Sequence, residues 1–133
     1  MSDGWHAAHL DEIEPVAQPQ PGEWEWRPIR SHFGIGAFGV NAWIGRDVGD
    51  QVLEEHDETG TGHEELYVVL AGRARFELDG RQVDARAGTI VFVEEPRVRR
   101  TAFAEEPATT VLAVGAKRGV IFAPSEWELR YTA

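Results

Sequence analysis

From residue 37 onward, short β-prone runs are separated by turn signals roughly every eight to twelve residues, which is the pattern of an all-β chain. The runs predict strands over 37–44, 51–54 (the weakest), 65–70, 73–78, 81–86, 89–93, 98–103, 109–115 and 120–122. The stretch 73–78 alternates with period two: Arg73, Arg75 and Glu77 share one face, and Ala74, Phe76 and Leu78 share the other. Asp79-Gly80 then predicts a tight hairpin, and Ala71-Gly72 and Ala87-Gly88 predict two further turns. Two strands are apolar on both faces. Leu66, Val68 and Leu70 oppose Tyr67 and Val69, and 89–93 behaves alike. Something must cover the outside of such a sheet, so a homodimer or a covering arm is expected.

Residues 1–36 break the pattern. Pro15, Pro19, Pro21 and Pro28 oppose helix and remove backbone donors, while Trp5, Trp24 and Trp26 carry too much apolar surface for a free tail. We expect an extended arm over 1–36, laid on the body or on a partner, with at most a helical turn near 7–14. A β-barrel over 37–123 and a tail over 124–133, either a short helix or a docked arm, complete the domain reading. Strands at this spacing build a sandwich or a barrel.

Composition narrows the function. At 133 residues the chain suits one domain with a sizeable core. Lys and Arg number 13 against 23 Asp and Glu, a net charge of −10, so nucleic acid and anionic membrane surfaces are unfavourable partners. No apolar run approaches the ~18 residues of a spanning helix. The first residues have neither a basic nor an apolar leader region. With no cysteine, disulfides and thiolate chemistry are out. A soluble cytoplasmic protein is expected.

Candidate chemistry concentrates at 63–72. In a strand, residues two apart share a face, so His63, Glu65 and Tyr67 point together towards the core of a β-domain. Gly34-x-Gly36-x-x-Gly39 spells a dinucleotide-binding string, but no strand precedes it and no helix follows, so that reading fails. Trp43 reads as a pocket wall or a core aromatic. His6, His9 and His32 lie in the arm with nothing to mark them as ligands.

The run 65–72, the Asp79-Gly80 turn and the run 87–93 resemble the core of a small single-domain cupin, over roughly residues 37–115. The resemblance implies a jelly-roll barrel whose mouth holds a divalent metal, in a superfamily with many different activities. Its first motif, G-x5-H-x-H-x3/4-E-x6-G, ends on Glu65 and Gly72. Counted back from Glu65, the two histidine positions fall on Thr59 and Thr61, or on Glu58 and Gly60 with the longer spacing. Counted forward from Gly49 they fall on Glu55 and Asp57, with His56 between. The second motif, counted from Gly88, places Arg99 where the family has histidine, and a guanidinium does not ligate a cation.

Three readings of the site follow. His56, His63 and Glu65 bind a metal, for which imidazole and carboxylate suit Zn, Fe, Mn or Ni, giving an oxygenase or isomerase. Alternatively no metal binds, Arg99 pairs with a buried Glu65, and His63, Tyr67 and Arg99 read a small anionic metabolite. In the third, His63 is only a satisfied hydrogen-bonding residue. Arg97 and Arg100 are expected in a solvated loop beside Glu94, Glu95, Glu105 and Glu106.

Overall fold

Period-two alternation becomes two facing antiparallel sheets in the computed structural model, which describes residues 3–16 and 24–132. The strands are β1 (Glu25–Arg27), β2 (Gly39–Gly45), β3 (Gln51–His56), β4 (Glu64–Ala71), β5 (Arg73–Leu78), β6 (Arg81–Arg86), β7 (Ile90–Val93), β8 (Arg100–Ala104) and β9 (Thr109–Ala116). One sheet runs β1-β2-β9-β4-β7 and the other β3-β8-β5-β6. Two short helices, α1 (Ile29–Phe33) and α2 (Glu126–Tyr131), and a 3-10 turn at Leu10–Glu12 complete it. No helix among the described residues is long and apolar enough to cross a membrane.

The core sits between the sheets. Tyr67, Val69, Val91, Val93, Val111 and Ala113 face inward from one sheet, and Val52, Leu53, Ala74, Phe76, Ala85, Ala102 and Ala104 from the other. The strands 73–78 and 81–86 form as expected around Asp79-Gly80, with Arg73 opposite Arg86 and Leu78 opposite Arg81. Gly72 is obligatory: at φ +75° a Cβ there would lie 2.4 Å from Thr109 Oγ1 and 2.8 Å from Thr109 Cα.

Three expectations change. Residues 120–122 form no strand; the chain leaves β9 and crosses the barrel mouth as an open segment that ends in α2. Arm residues 25–27 become β1, a full edge strand with Trp26 opposite Trp43, while Pro19 and Pro21 lie outside the described residues. The outer face of the first sheet is covered only in part. Val40, Ala42 and Ile44 are buried on it, but Leu70, Ile90 and Phe92 are 49, 62 and 53% exposed.

Candidate functional site

Three strands in register build the barrel mouth. Gly39 of β2, Gly115 of β9 and Glu65 of β4 form one row, and Asn41, Ala113 and Tyr67 form the row below. The glycines leave room above the floor. A Cβ on Gly115 would lie 3.1 Å from Glu65 Cγ, and one on Gly39 would lie 3.4 Å from the Phe122 ring. A cavity of about 710 Å³ opens there, walled by Trp24, Trp26, Trp43, Phe122, Trp127 and Tyr131, with His56, Glu58, His63 and Glu65 among its polar groups.

Opposite Glu65, β3 delivers His56. Its pairing with β8 slips twice, between Gln51 and Leu53 and between Leu53 and His56, and such irregularities re-aim side chains at a strand's end. His56 Nδ1 lies 2.7 Å from the Glu54 carbonyl, which it faces as a donor, so Nε2 points inward. The chain then turns. Asp57 Oδ1 accepts from Thr59 N at 3.0 Å, Pro96 O accepts from Glu58 N at 2.8 Å, and Glu58 O accepts from Gly62 N at 2.6 Å. That turn folds Glu58 back into the mouth, where Thr61 Oγ1 donates to its carboxylate at 2.6 Å.

His56 Nε2 lies 3.0 Å from Glu58 Oε2 and 3.5 Å from Glu65 Oε1. One ligand atom from each of His56, Glu58 and Glu65 can be chosen so that all three lie within 4.8 Å of one another. Burial opposes charge on His56, but hydrogen bonds to Glu58, Glu65 and the Glu54 carbonyl outweigh it and raise its pKa to about 10. Burial likewise opposes charge on Glu65. Hydrogen bonds from His56 and Tyr67, with the charges of His56 and Arg100, hold its carboxyl below the usual range instead. Tyr67, buried beneath Glu65 and donating to it, is pushed well above the ordinary phenol value by burial and by that carboxylate.

The buried partner of Glu65 is Arg100, not Arg99. Arg100 Nη1 donates to Glu65 Oε1 at 2.8 Å, with the arginine side chain fully buried. Its other nitrogens donate to Val98 O at 2.8 and 3.0 Å and to Pro96 O at 3.3 Å. The solvated-loop expectation for Arg100 therefore fails, while Arg97 is 83% exposed as expected. Arg99 faces outward, pairing with Glu55 at 2.9 Å and Asp57 at 3.8 Å. Strand alternation supplies the reason. Arg100, Ala102 and Ala104 take the inward face of β8, so the preceding residue takes the outward one.

His63 lines the cavity beside this cluster without joining it. Its Nδ1 is 3.6 Å from Glu58 Oε1, and its ring lies 5.8 Å from that of Phe122. The three groups close enough together that they could hold a metal ion are His56, Glu58 and Glu65, where the expected set had His63 in place of Glu58. Trp43 contributes to the cavity wall and packs against the core.

This barrel is a cupin fold. No protein-family model matches the chain, and no curated protein matches it either. Solved structures do. A cupin protein from Bacteroides fragilis is 18% identical over 94% of this chain and 93% of its own, with a TM-score of 0.61. A sugar phosphate isomerase of the cupin superfamily from Silicibacter pomeroyi is 18% identical over 84% of this chain and 76% of its own, at 0.65. A predicted oxalate decarboxylase from Thermotoga maritima is 17% identical over 84% of this chain and 99% of its own, at 0.63. At such identities the likeness is one of fold.

Proposed function

We propose that this protein binds a small molecule at the barrel mouth, against a divalent cation held by His56, Glu58 and Glu65. The observation that carries this reading is the convergence of one imidazole and two carboxylates on one point of the cavity, each with its own supporting partner. Such partners orient ligands and fix the histidine tautomer. The nitrogen–oxygen donor set suits Zn, Mn, Fe or Ni. A cation bound there would polarise an oxygen of the ligand. The aromatic walls would exclude water and orient the ligand's apolar part, and His63 is placed to hold or release a proton at a ring nitrogen. An acidic group on the ligand would meet Arg130, which lines the cavity and pairs with no carboxylate among the described residues. Two fold neighbours, a sugar phosphate isomerase and a predicted oxalate decarboxylase, bear names that refer to anionic compounds.

A second reading has its own support. With His56 protonated and Arg100 beside Glu65, two cations offset the two carboxylates without any metal. Elemental analysis after growth with Zn, Mn, Fe and Ni decides between them. The cation reading expects about one equivalent in the wild type, lost in His56→Ala and Glu58→Gln and kept in His63→Ala and Arg99→Ala. A wild type free of metal after such growth leaves the ion cluster as the correct reading.

We propose further that the protein is a homodimer joined through the outer faces of β4, β7 and β9. Leu66, Val68, Leu70, Ile90, Phe92, Leu112 and Val114 form an apolar surface there, bordered by the Glu64–Arg118 pair, on a chain carrying −10. Light scattering should give a dimer mass for the wild type and a monomer mass for Phe92→Glu. A monomeric wild type at micromolar concentration refutes the proposal.

A further inference from the structure

Residues 120–132 supply Phe122, Ser125, Trp127, Glu128, Arg130 and Tyr131 to the cavity lining, a whole side of it. Their attachment to the body is unlike that of any strand. Among the described residues, the loop and cap backbone hydrogen bonds here run Val120 N to Lys117 O, Leu129 N to Ser125 O and Thr132 N to Glu128 O, all local and none to the barrel. Side chains alone hold the segment down. Trp127 and Tyr131 lie 5.0 and 6.0 Å from Trp26, centroid to centroid, and Phe122 rests beside His63 and Gly39. Much of the remaining apolar surface faces outward, with Val120, Ile121 and Leu129 at 56, 95 and 50% exposure. Few buried contacts and no shared backbone ladder describe a unit able to open separately from the core.

A polar cluster around Glu128 fastens it. Glu128, with a side chain 4% exposed, pairs with Arg30 of α1, whose side chain is 11% exposed. Asn41 joins them, donating from Nδ2 to Glu128 Oε1 at 3.5 Å and accepting at Oδ1 from Trp26 Nε1 at 2.9 Å. Arg30 is fixed in turn by donating to Ile35 O at 2.9 Å. Gly119, at φ +72°, stands where the segment departs.

We propose that residues 120–132 are a latched lid. The segment swings away as a unit when the Arg30–Glu128 pair parts, and that opening sets the rate at which bulky molecules reach the barrel floor. Lids of this kind gate entry and release, and ligand traffic is then controlled some distance from the groups that bind the ligand. The proposal is independent of the metal reading, and so is its test.

The chain has no cysteine, so Ala113→Cys places a single thiol on the cavity floor, where Ala113 is 5% exposed. Its modification rate by a bulky aromatic maleimide is compared with that of Ala113→Cys/Glu128→Gln. The lid predicts slow labelling in the first and at least about tenfold faster labelling in the second. Hydrogen exchange on the same proteins should show residues 120–132 losing protection with the latch cut, while β4 and β9 keep theirs. Equal labelling rates overturn the proposal, as does labelling that is already fast in Ala113→Cys alone. If Glu128→Gln does not fold, wild-type exchange decides: 120–132 exchanging faster than β4 and β9 supports the lid, and exchange in step with them refutes it.

Discussion

Replacing Arg100 with leucine is expected to destabilise the protein by about 3 kcal/mol, while Arg99→Leu stays within about 0.5 kcal/mol of wild type. The two arginines are adjacent in sequence and opposite in surroundings. Arg100 is fully buried and bridges Glu65 to the carbonyls of Val98 and Pro96, so its removal strands a carboxylate and unpairs carbonyls of the 94–99 loop together. Breaking a buried pair costs about 3–5 kcal/mol. The low end applies because Tyr67 and His56 still face Glu65 and because the carboxyl can take up a proton. Arg99 is 55% exposed and pairs with a Glu55 that is 58% exposed, a contact screened by water and salt. Thermal unfolding should show a fall of roughly 10 °C for Arg100→Leu, at about 3–4 °C per kcal/mol for a chain of this size. Equal melting points for the two variants would show that Arg100 and Glu65 are not a buried pair.

Where sequence reading succeeded and where it missed follow from the same physics. Strands 73–78 and 81–86 were legible to the residue because alternation and an Asp-Gly turn set both their faces and their register. Glu65 and Gly72 were legible for different reasons: one is a carboxylate in an apolar run, the other a turn glycine that Thr109 leaves no room to replace. Counting motif positions from Gly88 points to Arg99, and an offset of one residue in a strand exchanges inside for outside. Counting instead from Ala102 and Ala104, the residues a β-core would take in, places Arg100 inward. Glu58 fell on a histidine position in one spacing, yet only the turn from Asp57 to Gly62 brings it beside His56, and a turn built from Thr59, Thr61 and Gly62 contacts leaves no period to read. The tail over 124–133 is legible as a short helix or a docked arm, and α2 forms there. The strand expected at 120–122 fails because a β-prone run makes a strand only where a free edge lies beside it. Both neighbours of β9 are already taken, by β2 and β4.

Affinity for a divalent cation should climb about tenfold for each pH unit between pH 7 and pH 9. A cation at this site must displace the proton from His56 Nε2, and in the metal-free protein that proton leaves only near pH 10. Each unit below that value therefore weakens apparent binding by about a factor of ten, as long as His56 is the one group that releases a proton. The stability of the metal-free protein should move the other way. A histidine raised from about 6.5 contributes stability that is complete below its unfolded pKa and fades as pH rises through the folded value. The chelated protein should accordingly melt lower at pH 9 than at pH 7, just where cation binding gains strength. Glu65, held below the usual carboxylate range, adds a contribution that is present above that range and lost only as pH falls through its folded pKa, so it does not confuse the alkaline window. Titrating Mn²⁺ into chelated protein at pH 7, 8 and 9, with tryptophan emission as the signal, reads the affinity directly. In His56→Gln the same titration should give weaker binding with little pH dependence. A wild-type affinity flat across these three pH values would place the cation somewhere other than on the His56 imidazole.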